Sequence, residues 1–120
     1  MEAIIKTQFK TEKYFEEECF ITEILNDPSN QEVSISQAKV KPGVTTVLHR
    51  LLNTDEKYYI LSGEGKMEVG GVEAGLVQQG DVVIIPKNIS QRITNTSTTS
   101  DLIFLCICTP RFEFKNYVAV

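Results

Sequence analysis

The chain has 120 residues, 42% of them hydrophobic and 23% charged, and its formal net charge is −4. This is the composition of one folded domain, and it excludes wholesale disorder. Lys and Arg show no clustered excess, so the sequence gives no support for nucleic acid or an anionic membrane surface as partner. There is no apolar run of about 20 residues and no secretory signal pattern at the start, so a cytoplasmic location is expected.

The predicted elements are almost all strands. The one helical candidate is Thr11–Glu18, whose acidic end we interpret as a solvated face. Gly70-Gly71 suits a two-residue hairpin loop, because glycine accepts positive φ without strain. About nine or ten short strands with regular turn signals predict a sandwich or closed barrel. The predicted strands are Cys19–Leu25, Val33–Val40, Thr45–Leu52, Lys57–Leu61, Met67–Val69, Val72–Ala74, Leu76–Gln78, Val82–Ile85, Ile89–Thr94 and Leu102–Thr109.

The three cysteines fit a reducing compartment. Cys106 and Cys108 are two residues apart in an apolar run, so a strand would turn both thiols to one face, although the sequence does not fix which face. Their spacing is not that of a C-x-x-C redox or zinc site, and we predict buried, unreactive thiols. The segment that follows, Cys108–Phe112, is expected to leave the barrel and pack outside it.

Two segments each begin with a glycine that is followed by characteristic residues at defined intervals. In the first, residues 43–63, Gly43 is followed by His49, Glu56 and Gly63; in the second, residues 80–95, Gly80 is followed by Pro86 and Asn95. Both spacings resemble the paired signatures of the cupin superfamily. The resemblance implies one all-β domain over residues 1–120, an antiparallel double-stranded β-helix or jelly-roll barrel.

The chain departs from the family pattern at the metal ligands. In metal-binding cupins, two histidines and a glutamate of the first motif and a histidine of the second hold one divalent cation. Here His49 and Glu56 match, but Leu51 and Gln91 stand where the other two histidines would be. Asn88 replaces a motif glycine, a tolerable change because Asn visits left-handed conformations.

Two arrangements of this reduced set stay open. His49, Glu56 and Gln91 would offer one nitrogen and two oxygens to a divalent metal such as Mn, Fe, Ni or Zn. Alternatively, the Gln91 amide N–H groups satisfy Glu56 without a metal, and Leu51 forms an apolar wall. In either case His49 and Glu56 are the catalytic candidates. The plainer interpretation of His49, the only histidine, is a rim residue hydrogen-bonded to a neighbour.

Three further residues are candidates for the substrate pocket. Tyr58 and Ile60 share the inward parity of Glu56, and Ile93 shares that of Gln91, so all three are predicted to face the interior. Core packing explains them equally well.

The resemblance leaves several functions open. It implies a metal-dependent enzyme of dioxygenase, isomerase or cyclase type, acting on a small polar substrate. The alternative is a metal-free module that binds or senses a small ligand, and a third is a scaffolding barrel without a pocket. Small cupins often pair through edge strands, so a homodimer is expected.

Overall fold

The computed structural model describes residues 3–6, 10–15 and 18–120. The strands of these residues pair antiparallel in two sheets, which confirms the predicted all-β antiparallel class. Sheet A has the order β1-β2-β3-β10-β5-β8, and sheet B has the order β11-β4-β9-β6-β7. No helix in the described part of the chain is long and apolar enough to cross a membrane. The strands are β1 (Glu12–Phe15), β2 (Cys19–Leu25), β3 (Ser34–Val40), β4 (His49–Leu51), β5 (Asp55–Ser62), β6 (Glu64–Val69), β7 (Val72–Gln78), β8 (Val82–Ile85), β9 (Gln91–Asn95), β10 (Leu102–Thr109) and β11 (Tyr117–Ala119), the last preceded by a single 3-10 turn at Phe114–Asn116.

Strong turn signals located several strands correctly, whereas local propensity failed at the N-terminal end. β2, β8 and β10 have the predicted bounds, because Pro, Gly and polar clusters flank each of them. The predicted helix Thr11–Glu18 is wrong over Glu12–Phe15, which pairs with β2 in an antiparallel hairpin. Pairing with a neighbouring strand outweighs a weak local preference. Glu16 and Glu17 lie outside the described residues.

Alternation along the central strands creates the interior. In β10 every second residue from Leu102 to Cys108 is buried, and β5 alternates in the same way from Glu56 to Ile60. The register of β10 places Cys106 opposite Tyr58 and Cys108 opposite Glu56, so both thiols face inward. This settles the parity that the sequence left undetermined.

The spacing of the two motifs reflects backbone geometry at several of their residues. Gly63 has φ +89°, and a Cβ there would lie 2.5 Å from the carbonyl oxygen of Asp101. Asn88 adopts φ 68°, the left-handed conformation expected of it. The buried Asn95 side chain donates to the backbone oxygens of Val40 and Ser100. We interpret these residues as structural, because their roles concern the backbone.

The C-terminal segment differs from the prediction that it packs outside. Cys108 is buried inside, Thr109 and Pro110 are exposed, and Phe112 is half-buried in the cavity wall, where its backbone N–H donates to Ser34 Oγ at 2.8 Å. The chain then continues into β11, which pairs with β4 and was not predicted: Tyr117 lies opposite Leu51, and Ala119 lies opposite His49. β4, the strand that carries His49, is therefore held between β9 and β11.

Candidate functional site

His49, Glu56 and Gln91 come together between the two sheets. His49 and Gln91 are direct cross-strand partners in sheet B, so their side chains project from the same face, with Cβ atoms about 5 Å apart. Glu56 projects toward them from β5 of sheet A. All three side chains are buried, with exposed fractions of 6%, 7% and 1% for His49, Glu56 and Gln91.

A chain of hydrogen bonds holds the Glu56 carboxylate. Gln91 Nε2 donates to Glu56 Oε1 at 2.8 Å, and the Tyr58 hydroxyl donates to Gln91 Oε1 at 2.5 Å. On the other side, Cys108 Sγ donates to Glu56 Oε2 at 3.5 Å. Each carboxylate oxygen therefore accepts a bond from a different element, β9 or β10, and an ionised carboxylate can accept both.

The Cys108 thiol stays protonated in this setting. Burial raises its pKa well above its ordinary value, and the negative charge of Glu56 together with the hydrogen bond to it acts in the same direction. A neutral thiol is a donor to Glu56 and a poor nucleophile. This agrees with the prediction of a buried, unreactive cysteine.

His49 is oriented by its backbone and by an aromatic neighbour. Its Nδ1 lies 2.8 Å from the carbonyl oxygen of Val47, and its ring stacks on Tyr117 with centroids 4.9 Å apart and planes at 22°. A carbonyl oxygen can only accept, so Nδ1 carries the proton of the neutral imidazole. The lone pair is then on Nε2, the ring atom available to a ligand.

The site opens into a cavity of about 660 Å³. His49, Glu56, Leu51 and Tyr58 line it, as do Cys106 and Cys108. Gln91 is not part of this wall and lies behind Glu56 and Tyr58, which it holds.

Two residues predicted to line the pocket lie elsewhere. Ile60 and Ile93 are 0% and 1% exposed and belong to the hydrophobic core cluster, outside the cavity wall. Both point inward as their parity predicts. They lie two or more residues further along their strands from the cavity, however, where apolar side chains such as Met67 and Leu102 fill the space.

Two residues of the site were missed by the sequence analysis. Tyr117 stacks on His49, and Phe114 stacks on Tyr117 with centroids 5.8 Å apart and planes at 5°. Both line the cavity. The only sequence signal was the density of aromatic residues after Pro110, and the three-residue strand that positions Tyr117 is too short to show a periodicity.

The donor set does not fit a divalent metal ion. Leu51 has no donor atom, the Gln91 amide nitrogen faces Glu56, and the Gln91 oxygen already accepts from Tyr58. Among the described residues no three His, Cys, Asp or Glu side chains are grouped so as to hold a metal. The structure contains the hydrogen bond of the second arrangement, in which a Gln91 amide N–H group satisfies Glu56.

Comparison with known proteins gives three relevant likenesses. An uncharacterised protein of Methanocaldococcus jannaschii, MJ1618, is 32% identical over 117 residues, covering 94% of this chain and 92% of that protein. A predicted oxalate decarboxylase from Thermotoga maritima superposes with a TM-score of 0.76 at 24% identity, covering 90% of this chain and 99% of that one. A variant of Streptomyces PAC13 with uridine has a TM-score of 0.76 at 12% identity, covering 92% of this chain and 84% of that one.

The structural likenesses, at these identities, concern the fold. They confirm the double-stranded β-helix that the two motifs predicted. A family model described as the cupin domain matches residues 37–108, which is more than half of the chain and includes both motifs. The protein therefore belongs to the cupin family.

Proposed function

We propose that this cupin barrel binds a small organic molecule through Glu56 and His49, without a metal ion. The observation that carries the proposal is the bond from Gln91 Nε2 to Glu56 Oε1. It puts an amide donor where a metal-binding cupin has an imidazole ligand, and so gives the carboxylate a fixed orientation that needs no cation.

The chemistry of the site indicates what such a ligand must offer. Glu56 presents carboxylate oxygens, and His49 presents the Nε2 lone pair, so both groups accept hydrogen bonds. A ligand with hydroxyl or N–H donors could bond to both groups, whereas a purely apolar ligand would make no use of the Nε2 lone pair. The cavity is within the usual size range for a small-molecule site.

The structural neighbours support a small-molecule ligand. One of them, Streptomyces PAC13, is described in a structure with uridine, a molecule that carries several hydroxyl donors. The identity of 12% transfers neither that ligand nor its chemistry to this chain. It supports only a small molecule as the kind of ligand that a protein of this fold can bind.

A titration with 2-phenylethanol and its methyl ether tests the proposal. The two probes have the same ring and chain, but only the alcohol donates a hydrogen bond. We expect the alcohol to bind wild-type protein at least about tenfold more tightly than the ether, a difference of one well-made hydrogen bond. Glu56→Gln and His49→Phe should reduce this preference, and Glu64→Gln, which removes an exposed carboxylate on β6, should not. Equal binding of both probes, or a preference unchanged in Glu56→Gln and His49→Phe, would refute the proposal.

The Nε2 lone pair favours a second candidate, an enzyme that removes a proton from the bound molecule. His49, as the catalytic residue, would be the general base, and Glu56 would hold the substrate. Deuterium incorporation from D₂O into 2-hydroxyacetophenone, which has a hydroxyl donor for Glu56 and exchangeable protons beside its carbonyl group, tests this function by NMR. Acceleration by wild-type protein and its loss in His49→Phe are the expected results, and equal rates for the two proteins would contradict it.

A further inference from the structure

The cavity gathers most of the aromatic residues of the chain. The sequence contains six Phe and four Tyr, and seven of these ten line this cavity. Three of the seven are also open to solvent, with exposed fractions of 71% for Phe114, 55% for Tyr14 and 36% for Phe15. Exposed aromatic rings grouped around one opening are unusual for a surface with no binding role.

The two ends of the described chain supply these rings. Tyr14 and Phe15 belong to β1, and Phe114 belongs to the turn before β11. Phe114, Tyr117 and His49 form a continuous stack that runs from the exposed mouth to the buried site. A ligand that enters beside this stack would contact aromatic rings before it reaches Glu56.

The charged groups of the cavity have one sign. Glu23 and Glu56 line it, whereas no Lys or Arg does so among the described residues. Arg111 donates to Asn26 Oδ1 of the cavity wall and pairs with Glu113 at 3.2 Å, but it is not itself part of the wall. The whole chain carries a net charge of −4. An anionic ligand would find no countercharge here, and burying it unpaired is costly.

We propose that the ligand of this cavity is an organic cation, a protonated amine on an apolar or aromatic body. This inference rests on the proposed function and specifies its ligand class. The ammonium N–H groups would donate to Glu56 and to His49 Nε2, and the apolar or aromatic body would lie against the aromatic rings between the site and the opening of the cavity. Aromatic rings around a carboxylate are the arrangement that proteins use to recognise such cations.

Three probes of one shape and different charge test the ligand class at pH 7.5. Phenethylamine is a cation at this pH, 2-phenylethanol is neutral and phenylacetate is an anion. In calorimetric titrations with EDTA present, we expect phenethylamine to bind about tenfold or more tightly than 2-phenylethanol, and phenylacetate to show no binding.

Substitution of an exposed aromatic residue provides a second test of the proposal. Phe114→Leu should reduce phenethylamine affinity about three- to tenfold, because the ring of Phe114 would contact the aromatic body of the ligand. Tyr59→Leu is the matched control, because Tyr59 is 40% exposed and is not part of the cavity wall. Equal losses of phenethylamine affinity in Phe114→Leu and Tyr59→Leu would show that the exposed aromatic residues at the cavity opening have no specific role in binding.

The outcomes separate this inference from the proposed function. If phenylacetate binds as tightly as phenethylamine, the cation assignment is wrong. If phenethylamine and 2-phenylethanol bind equally and both need Glu56, the cation assignment is wrong and the donor-binding cavity stands. If no probe of any charge binds, both proposals fail.

Discussion

Gln91 Nε2 lies 2.8 Å from Glu56 Oε1, and this hydrogen bond joins the two sheets of the barrel at its functional site. Gln91 belongs to β9 of sheet B, and Glu56 belongs to β5 of sheet A. A buried carboxylate needs such partners, because an unpaired charge in the interior is strongly disfavoured. Gln91 thus has a structural role at the position where the family pattern places a metal ligand.

Loss of the amide should destabilise the protein. Gln91→Met leaves Glu56 Oε1 and the Tyr58 hydroxyl without this partner, so we expect the free energy of unfolding to fall by about 2–4 kcal/mol. Urea denaturation followed by circular dichroism measures the change. Gln78→Met, at an exposed position of β7, should change stability by less than about 0.5 kcal/mol. A Gln91 variant as stable as the Gln78 variant would show that the bond contributes little.

Restoring the family ligands should create a metal site. The double variant Leu51→His/Gln91→His would place three imidazoles and the Glu56 carboxylate around one point, so we expect it to bind about one equivalent of a divalent metal such as Zn or Mn. Elemental analysis after dialysis against each metal measures the occupancy, with wild-type protein treated identically. Stoichiometric metal in the wild type that disappears in His49→Ala would contradict the metal-free site.

The Cys108 thiol should make stability depend on alkaline pH. Burial raises its pKa above the ordinary value of 9.0, so above that pH the unfolded chain releases a proton that the folded protein retains. Its contribution to stability is therefore complete below about pH 9 and falls as the pH rises, by up to about 1.4 kcal/mol per unit.

Cys108→Ser isolates this effect, since serine keeps a donor toward Glu56 and does not titrate in the range. Chemical denaturation at pH 8 and pH 10 should show a smaller loss of stability in the variant than in the wild type. Lys and Tyr residues titrate in both proteins, so their effects cancel in the comparison. Parallel losses in the two proteins would place the thiol in contact with solvent.

The protonation of His49 can be read directly by NMR. Because it is the only histidine, a ¹⁵N–¹H correlation spectrum shows a single imidazole. At pH 8.5 we expect the neutral ring to carry its proton on Nδ1, with the chemical shift of an unprotonated nitrogen at Nε2. Tyr117→Phe should preserve this pattern, because the substitution retains the stacking ring. A proton on Nε2 would remove the acceptor on which the proposed ligand contacts depend.

The sequence contained much of this fold and the composition of its site, but not the directions of the polar atoms. Turn residues bounded β2, β8 and β10, and motif spacing brought His49 and Glu56 to attention. Whether the amide of Gln91 offers its nitrogen or its oxygen to Glu56 depends on Tyr58, a contact across sheets that no local pattern records. The expected homodimer stays a prediction, which sedimentation equilibrium would test.

The short C-terminal strand shows the same limit. β11 has only three residues, and its existence depends on the free edge of β4 rather than on its own pattern. Tyr117 reaches His49 only through that pairing. The sequence pattern therefore could not predict that these aromatic residues line the cavity.

We propose that the Gln91 amide orients Glu56 for a ligand without a metal ion. The most direct test of this proposal is the affinity of chelator-treated wild-type protein for 2-phenylethanol, measured by calorimetry before and after one equivalent of Zn²⁺ or Mn²⁺ is added. The account predicts binding in the chelated protein, the same affinity after metal addition, and a loss of about tenfold or more in Glu56→Gln. Binding that occurs only after metal is restored would contradict it.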